Sequence, residues 1–144
     1  MRFADLSDAG RQLAELLTPD VVADAVVLAV PPDGVVVAAA VASALGLEVA
    51  PLLTTRDDDG VSVDVPVDVA GRRVIVVDDG VETGTAARAV VAALRQAGAA
   101  YVVLAVPVCP REAEADLRHR YDEVIAVTRP LVRRSLRWHY DTFA

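Results

Sequence analysis

The chain has 144 residues, of which 54% are hydrophobic, and is long enough to bury a core without a disulfide, which its single cysteine cannot form intramolecularly. Its net charge of -7 argues against nucleic-acid binding, and its short, interrupted apolar runs exclude a bilayer span, so we expect a soluble cytoplasmic protein. All 14 basic residues are arginines, which excludes a Schiff-base lysine and the lysine-bearing P-loop. We predict a single domain over residues 1–144.

The first part of the chain alternates between helical and strand patterns. In order, the patterns predict a helix from about Ser7 to Thr18, a strand at 23–30, a helix at 35–46 and a strand at 47–55. Ser7 is the candidate N-cap of the first helix, and Gly46 ends the second. The sequence "RDDDG" then predicts a turn, and the alternating "VSVDVPVDV" at 61–69 predicts a half-exposed edge hairpin, where Pro66 is tolerated.

The second part of the chain repeats the alternation. It predicts a buried strand at 72–79, a helix from about Gly84 to Ala97, a strand at 99–108, a short helix at 110–121 and a strand at 122–128. Strands that alternate with helices favour an α/β fold with three layers. We therefore predict a mainly parallel, twisted sheet of about five strands with an N-terminal helix and a small edge hairpin.

The stretch "VIVVDDGVETGTAAR" at 74–88 places two adjacent carboxylates, Asp78 and Asp79, at the end of a buried strand. In open α/β sheets, ligands bind beyond the carboxyl ends of the strands. Carboxylates there suit the hydroxyls of a sugar cis-diol or a hydrated divalent cation. The residue pattern therefore predicts a polar ligand site at this strand end.

The loop that follows predicts a phosphate site. Its residues Gly80, Val81, Glu82, Thr83, Gly84 and Thr85 supply consecutive backbone N–H groups and two hydroxyls where a helix begins. A diol site beside a phosphate site outlines a ribose 5-phosphate. The alternative is an ordinary strand-to-helix turn, in which Asp and Thr serve only as helix caps.

The segment "VIVVDDGVETGT" resembles the phosphoribosyl-diphosphate (PRPP) signature of type I phosphoribosyltransferases, and most of the chain resembles a bacterial group of predicted phosphoribosyltransferases. The resemblance implies a transferase that uses Mg²⁺ and a ribose phosphate or nucleotide as its small-molecule partner. It implies that Asp78 and Asp79 hold the ribose hydroxyls and the magnesium shell, and that the loop from Gly80 to Thr85 holds the 5-phosphate. Glu82 would aid proton transfer at the base.

The chain departs from that family at the pyrophosphate loop, where members often carry a cation. Pro31, Pro32, Asp33 and Gly34 stand there instead, so an aspartate would face a polyanion, and the Pro31–Pro32 bond is a candidate cis peptide. The other interpretation is a Pro-Pro-Asp helix cap. Pro32, Asp33 and Gly34 are kept as substrate-binding candidates.

A second departure is the shortened loop between the second strand and the signature strand. Residues 56–71 replace the family's long flexible loop, with Arg56 the only cation before Arg72. Arg56 either takes the basic position after the second strand or is a plain surface residue. A shortened loop at this position predicts weak exclusion of water from the site and poor neutralisation of pyrophosphate.

The other chemically distinctive residues carry weaker hypotheses. His119 and His139 lack metal-ligand spacing and are expected at the surface or at helix ends, and Cys109 is expected to be a buried structural thiol. The aromatic end of the chain, with Trp138, Tyr140 and Phe143, is either a hood over a base or a segment docked on the core.

Three functional classes remain open on the sequence. The first is a phosphoribosyltransferase that acts on PRPP, and the second is a degenerate phosphoribosyltransferase-like domain that binds a nucleotide or PRPP for regulation. The third, a phospho-acceptor receiver domain, predicts a lysine late in the sheet, and the chain has none. A homodimer is a further candidate, in which a neighbouring copy contributes Arg133, Arg134 or Arg137 to the site.

Overall fold

A computed structural model describes residues 2–143 and contains a five-stranded parallel sheet flanked by helices. In chain order the elements are α1 (Leu6–Ala14), α2 (Pro19–Val22), β1 (Ala25–Ala29), α3 (Asp33–Leu45), β2 (Val49–Pro51), β3 (Leu53–Asp57), β4 (Gly60–Asp64), β5 (Arg73–Val77), α4 (Thr85–Gln96), β6 (Tyr101–Val108), α5 (Arg111–Arg120) and β7 (Glu123–Thr128), followed by a 3-10 helix at Leu136–His139. The strand order is β2-β1-β5-β6-β7. The predicted α/β class, N-terminal helix and five-stranded parallel sheet are confirmed.

The register of β1 and β5 aligns their carboxyl ends, whereas β6 continues beyond this level to Val108. Val77 of β5 pairs with Ala29 of β1 on one side and with Ala105 of β6 on the other. The loops that leave β1 and β5 therefore emerge side by side at one edge of the sheet. The acidic pair and the Pro-Pro-Asp-Gly segment both lie at that edge.

Two hydrophobic cores, one on each face of the sheet, hold the layers together. One core includes Val90 and Leu94 of α4 and Leu117 of α5, and the other includes Leu13 of α1 and Val37 of α3. β-Branched residues dominate the central strands because both of their faces are covered, which is why these strands have continuous apolar sequences rather than alternating ones.

The first helix begins earlier than Ser7, and this N-cap prediction is wrong. Asp5 is the N-cap, and its side chain accepts a hydrogen bond from the N–H of Asp8 at 2.7 Å. A carboxylate three residues before a free helix N–H satisfies that donor and also interacts favourably with the helix dipole. The helix also ends at Ala14 rather than Thr18, and a separate short α2 follows it.

The predicted strand at 47–55 is two strands that belong to different sheets. β2 pairs with β1, whereas β3 pairs with β4 in a separate antiparallel hairpin. The break falls at the buried Leu52, whose N–H donates to the Ala29 carbonyl at 2.8 Å. The hairpin packs on α4, and β4 ends at Asp64, so the strand predicted to Val69 is too long and Pro66 lies outside it.

The end of the chain docks on the core. Phe3 and Tyr140 form an isolated parallel bridge, and the Phe3 N–H donates to the His139 carbonyl at 2.7 Å. His139 ends the 3-10 helix but is only 2% exposed, so the alternative of a surface position is wrong for it.

Cys109 is fully buried as predicted, and burial raises the pKa of its thiol to about 11. Within residues 2–143, no helix is both long and apolar enough to cross a membrane.

Candidate ligand-binding site

A cavity of about 380 Å³ opens at the carboxyl edge of the sheet. It is bounded by the β1–α3 loop, the β5–α4 loop, the β3–β4 hairpin and the 3-10 helix. Its lining residues are Val30, Pro31, Pro32, Asp33, Thr54, Arg56, Val61, Val76, Asp78, Asp79, Gly80, Val81, Glu82, Thr83, Gly84, Thr85, Ala86, Ala87, Leu104 and Leu136. The structure therefore brings every predicted site residue except Gly34 to the wall of one cavity.

The two adjacent carboxylates lie at the base of this cavity. Asp78 is half-buried and Asp79 is 9% exposed, and the N–H of Asp79 donates to Oδ1 of Asp78 at 2.7 Å. Burial, followed by the neighbouring Asp79 carboxylate, holds the pKa of Asp78 well above its ordinary value. Burial also raises the pKa of Asp79. The pair is costly to ionise in the ligand-free protein, so a cation or a hydrogen-bond donor should bind there favourably.

The cavity contains acids that no basic residue neutralises. Within residues 2–143, no ion pair involves Asp33, Asp78, Asp79 or Glu82. Arg56 is the one arginine of the cavity wall in that part of the chain, and it is exposed on the hairpin. A ligand that carries Mg²⁺ or several hydroxyls would supply the missing partners.

The β5–α4 loop presents its backbone donors to the cavity. Val81 is buried, and its N–H donates to the Val108 carbonyl at 2.8 Å, which fixes the loop to β6. The N–H groups from Glu82 to Ala87, in contrast, have no acceptor within the described residues 2–143. They lie where α4 begins, so they form a ready anion site that the helix dipole reinforces.

The hydroxyls and the second glycine complete this loop. The Oγ1 atoms of Thr83 and Thr85 are 3.3 Å apart, close enough to bind one ligand together. Gly84 is the N-cap of α4 with φ 90°, a conformation that side-chain-bearing residues adopt only with strain. The role of this loop in phosphate binding stays a prediction.

Arg88, which the sequence analysis missed, supports the same loop from outside. Its guanidinium donates to the Thr83 carbonyl at 3.2 Å and lies 3.5 Å from the Asp116 carboxylate. A Cβ at Gly84 would lie 2.9 Å from Arg88 Nη1. Thr83 lies in the loop before α4, five residues from Arg88, so no helical spacing in the sequence signals this contact.

The β1–α3 loop approaches the acidic pair closely. The Pro31–Pro32 peptide is cis, and Asp33 begins α3 without capping it, since Pro32 is the N-cap and makes no side-chain bond. Gly34 lies behind Asp78 rather than in the cavity wall, and a Cβ on it would be 3.0 Å from both Cα and Oδ1 of Asp78. Gly34 therefore allows α3 to pack against the acidic pair.

Glu82 contacts the C-terminal segment. Its Oε1 atom accepts a hydrogen bond from the N–H of Leu136 at 2.8 Å, while the side chain remains exposed. The carboxylate is thus held at the exposed rim of the cavity by the 3-10 helix. The contact joins residues 54 positions apart in the chain, so no local pattern in the sequence indicates it.

The fold and the cavity place the chain in a known class: it belongs to the phosphoribosyl transferase domain family, whose model matches residues 9–133. Among solved structures, the Thermus thermophilus protein TT1426 is 30% identical, with a TM-score of 0.87 over 100% of this chain and 92% of that one. The hypoxanthine phosphoribosyltransferase of Trypanosoma cruzi, solved with its product IMP, is 16% identical and shares the fold, with a TM-score of 0.67 over 88% of this chain and 79% of that one.

A curated relative matches a limited segment. The Mycobacterium tuberculosis protein named "Putative phosphoribosyl transferase" is 40% identical over 62 residues, which are 43% of this chain. The matched segment is 14% of the length of that relative.

Proposed function

We propose that the chain binds PRPP, or a ribose 5-phosphate or nucleotide, with Mg²⁺ in this cavity and transfers the phosphoribosyl group to or from a nitrogenous base. The observation that carries the proposal is that two adjacent carboxylates with no ion-pair partner among residues 2–143, and a row of backbone N–H groups with no acceptor there, open on the same cavity. The first suits a ribose diol and the second suits its 5-phosphate.

Each part of the ligand has a matching group in the chain. The ribose hydroxyls would donate to the carboxylates of Asp78 and Asp79, whose ionised forms burial disfavours in the ligand-free protein. The 5-phosphate would accept from the N–H groups between Glu82 and Ala87 and from the hydroxyls of Thr83 and Thr85.

The residues present also fit magnesium. Within residues 2–143, no cluster of three or more acidic, cysteine or histidine side chains could hold a metal alone. Mg²⁺ commonly needs only one or two carboxylates when substrate phosphates and water complete its shell, and Asp78 and Asp79 can supply these. When bound, the ion would neutralise pyrophosphate oxygens that the chain itself meets with few cations.

The chain's own contribution to transfer would be orientation. A dissociative displacement of pyrophosphate needs no covalent nucleophile, so holding the sugar rigidly beside an acceptor base is the main task of the protein. Glu82 at the rim is the proposed proton-transfer group for the base, and its hydrogen bond to Leu136 fixes its position.

A second candidate function is binding without turnover, in a regulatory role. Asp33 lines the cavity where pyrophosphate would lie and repels it. The hairpin that stands in place of a long flexible loop packs on α4 and contributes Thr54, Arg56 and Val61 to the cavity wall. Each missing charge contact in a closed site is worth roughly 2 to 4 kcal/mol of barrier, so turnover of common bases should be slow in an isolated chain.

A homodimer could restore the missing charge. Arg133, Arg134 and Arg137 lie on the C-terminal segment that borders the cavity, and a neighbouring copy could direct one of them into the site. Brisk turnover by a protein that sedimentation shows to be monomeric would contradict the expected need for an added cation.

Calorimetric titration with PRPP and with ribose 5-phosphate, each with and without Mg²⁺, tests the proposal. We expect magnesium-dependent binding that Asp78→Asn with Asp79→Asn abolishes. The matched control is Asp58→Asn with Asp59→Asn, which removes an adjacent exposed acidic pair at the hairpin turn and should leave binding intact. Equal affinity of the first variant and the parent would refute the sugar site, and turnover assays with purine and pyrimidine bases would separate the enzyme from the binding domain.

A further inference from the structure

The C-terminal segment at 135–140 holds the start of the ligand-binding loop at three points. The Leu136 N–H donates to the Glu82 carboxylate at 2.8 Å, and the Tyr140 hydroxyl donates to the main-chain carbonyl of Asp79 at 2.5 Å. The third point is Gly80, where a Cβ would lie 2.5 Å from Cδ2 of Leu136. A segment more than fifty positions later in the chain therefore packs directly on the acidic pair.

Tyr140 is held rigidly for this contact. It is 3% exposed, and its ring lies 5.4 Å from the Phe3 ring and 5.1 Å from the Phe143 ring, measured between centroids. Its backbone forms the bridge with Phe3, and the neighbouring Asp141 N–H donates to the Phe3 carbonyl at 2.8 Å. The position of the ring is thus set by Phe3 and Phe143, neither of which lines the cavity.

The carbonyl that accepts from Tyr140 belongs to the peptide between Asp79 and Gly80. In a trans peptide the C=O and N–H point in opposite directions, so fixing the carbonyl also fixes the direction of the Gly80 N–H. Gly80 has φ 148°, a conformation in which glycine alone is unstrained, and glycine could rotate to others at little cost. An external hydrogen bond is therefore the natural means of selecting one orientation.

The geometry points to Tyr140 as a positioning residue for the acidic pair and the phosphate loop. Tyr140 does not line the cavity. It acts by setting the peptide plane from which Asp79 and the loop project, so docking of the segment at 135–140 and ligand affinity are coupled. The inference rests on the proposed function for the identity of the ligand. The claim that Tyr140 fixes the peptide between Asp79 and Gly80 does not depend on that identity.

Coupling of this kind must be reciprocal. If docking of Tyr140 strengthens ligand binding, ligand binding must strengthen the docking of Tyr140 and its neighbours. The Asp141 N–H, which is bonded to Phe3, then reports docking of the segment, and the Val81 N–H, which is bonded to Val108, reports order in the loop.

The test compares Tyr140→Phe with the matched control Tyr101→Phe. Tyr101 also has a bonded hydroxyl, 3.2 Å from Glu123, but it lies at the start of β6, at the opposite edge of the sheet from the cavity. Ribose 5-phosphate with Mg²⁺ is titrated calorimetrically into each protein, and amide exchange of Val81 is followed by NMR without ligand. In Tyr140→Phe we expect about 2- to 12-fold weaker binding and exchange faster by a similar factor, from the loss of one hydrogen bond. Tyr101→Phe should change neither.

The outcomes separate the inference from the proposed function. If the parent fails to bind ribose 5-phosphate, the proposed function fails, and the exchange rate of Val81 still decides the positioning role. Unchanged Val81 exchange or unchanged affinity in Tyr140→Phe overturns the inference. If Tyr140→Phe does not fold, the parent protein alone tests the coupling. Saturating ligand should slow hydrogen exchange of its Asp141 N–H, and an exchange rate that the ligand leaves unchanged overturns the coupling.

Discussion

Replacement of Gly34 by alanine should weaken ligand binding through the position of Asp78. A Cβ at Gly34 would lie 3.0 Å from Asp78 Cα, Asp78 Oδ1 and the Val77 carbonyl oxygen, closer than ordinary contacts of roughly 3.5 Å. The Asp78 Cα and the Val77 carbonyl oxygen are main-chain atoms, and the Asp78 carboxylate is held by the Asp79 N–H. None of these atoms can move aside alone, so α3 and β5 must separate by several tenths of an ångström. Overpacking of this kind costs about 1 to 3 kcal/mol, or roughly 3 to 10 °C in Tm at about this chain length.

The affinity loss should exceed the effect of instability alone. If the shift breaks one charge-assisted hydrogen bond to the sugar, worth roughly 1.5 to 3 kcal/mol, Kd rises about 10- to 150-fold. Gly10→Ala is the control, because its Cβ would lie 2.5 Å from the Val37 carbonyl oxygen, where α1 meets α3 and away from the cavity. Thermal melts and ribose 5-phosphate titrations should show both variants destabilised but only Gly34→Ala impaired in binding. Parent-like affinity in Gly34→Ala, or equal losses in both variants, would refute the reasoning.

Three shorter predictions concern the same site and the buried thiol. Burial raises the pKa of Asp78 and of Asp79 in the folded protein. Below the ordinary carboxyl pKa of about 4 both groups are neutral in the folded and unfolded states and do not affect the free energy of unfolding, whereas at higher pH their ionisation lowers it increasingly. The double Asn variant should therefore gain stability over the parent between pH 4 and 8 in urea titrations, and a constant difference would contradict this. Thr83→Ala should weaken phosphate binding modestly and Gly84→Val severely, because backbone N–H groups form most of the cradle, and equal effects in calorimetry would argue against it. Cys109, whose thiol pKa is about 11, should resist thiol reagents at pH 8 until urea unfolds the chain, and rapid native-state labelling would contradict its burial.

The parts of the fold that the sequence predicted well depend on local patterns. Buried strands such as β5 consist of consecutive β-branched residues, and the rule that ligands bind beyond strand ends placed Asp78 and Asp79 at the cavity directly. The Gly and Thr residues after them fit a phosphate loop and also an ordinary helix cap, so the local pattern locates the loop but does not decide its role. These signals lie within a dozen residues of one another, so no tertiary information was needed.

The parts that were missed depend on long-range packing. Ser and Asp are equally favourable N-cap residues, and only the position of the Asp8 N–H, which donates to Asp5, shows that the cap is Asp5 rather than the predicted Ser7. The break at Leu52 follows from its burial beneath β1, which the local pattern of "LEVAPLLTT" does not encode. The contact of Leu136 with Glu82 joins distant segments, and no periodicity signals it.

The support that Tyr140 gives to Asp79 has a consequence for synthesis on the ribosome. The strand and loop at 73–85 leave the ribosome long before the tyrosine that fixes their geometry. A nascent chain arrested before residue 140 can form much of the sheet, since domains fold progressively from the N-terminus. Its acidic loop would nevertheless lack the Tyr140 and Leu136 contacts, so ligand-binding competence should appear only when the segment at 135–140 has left the exit tunnel.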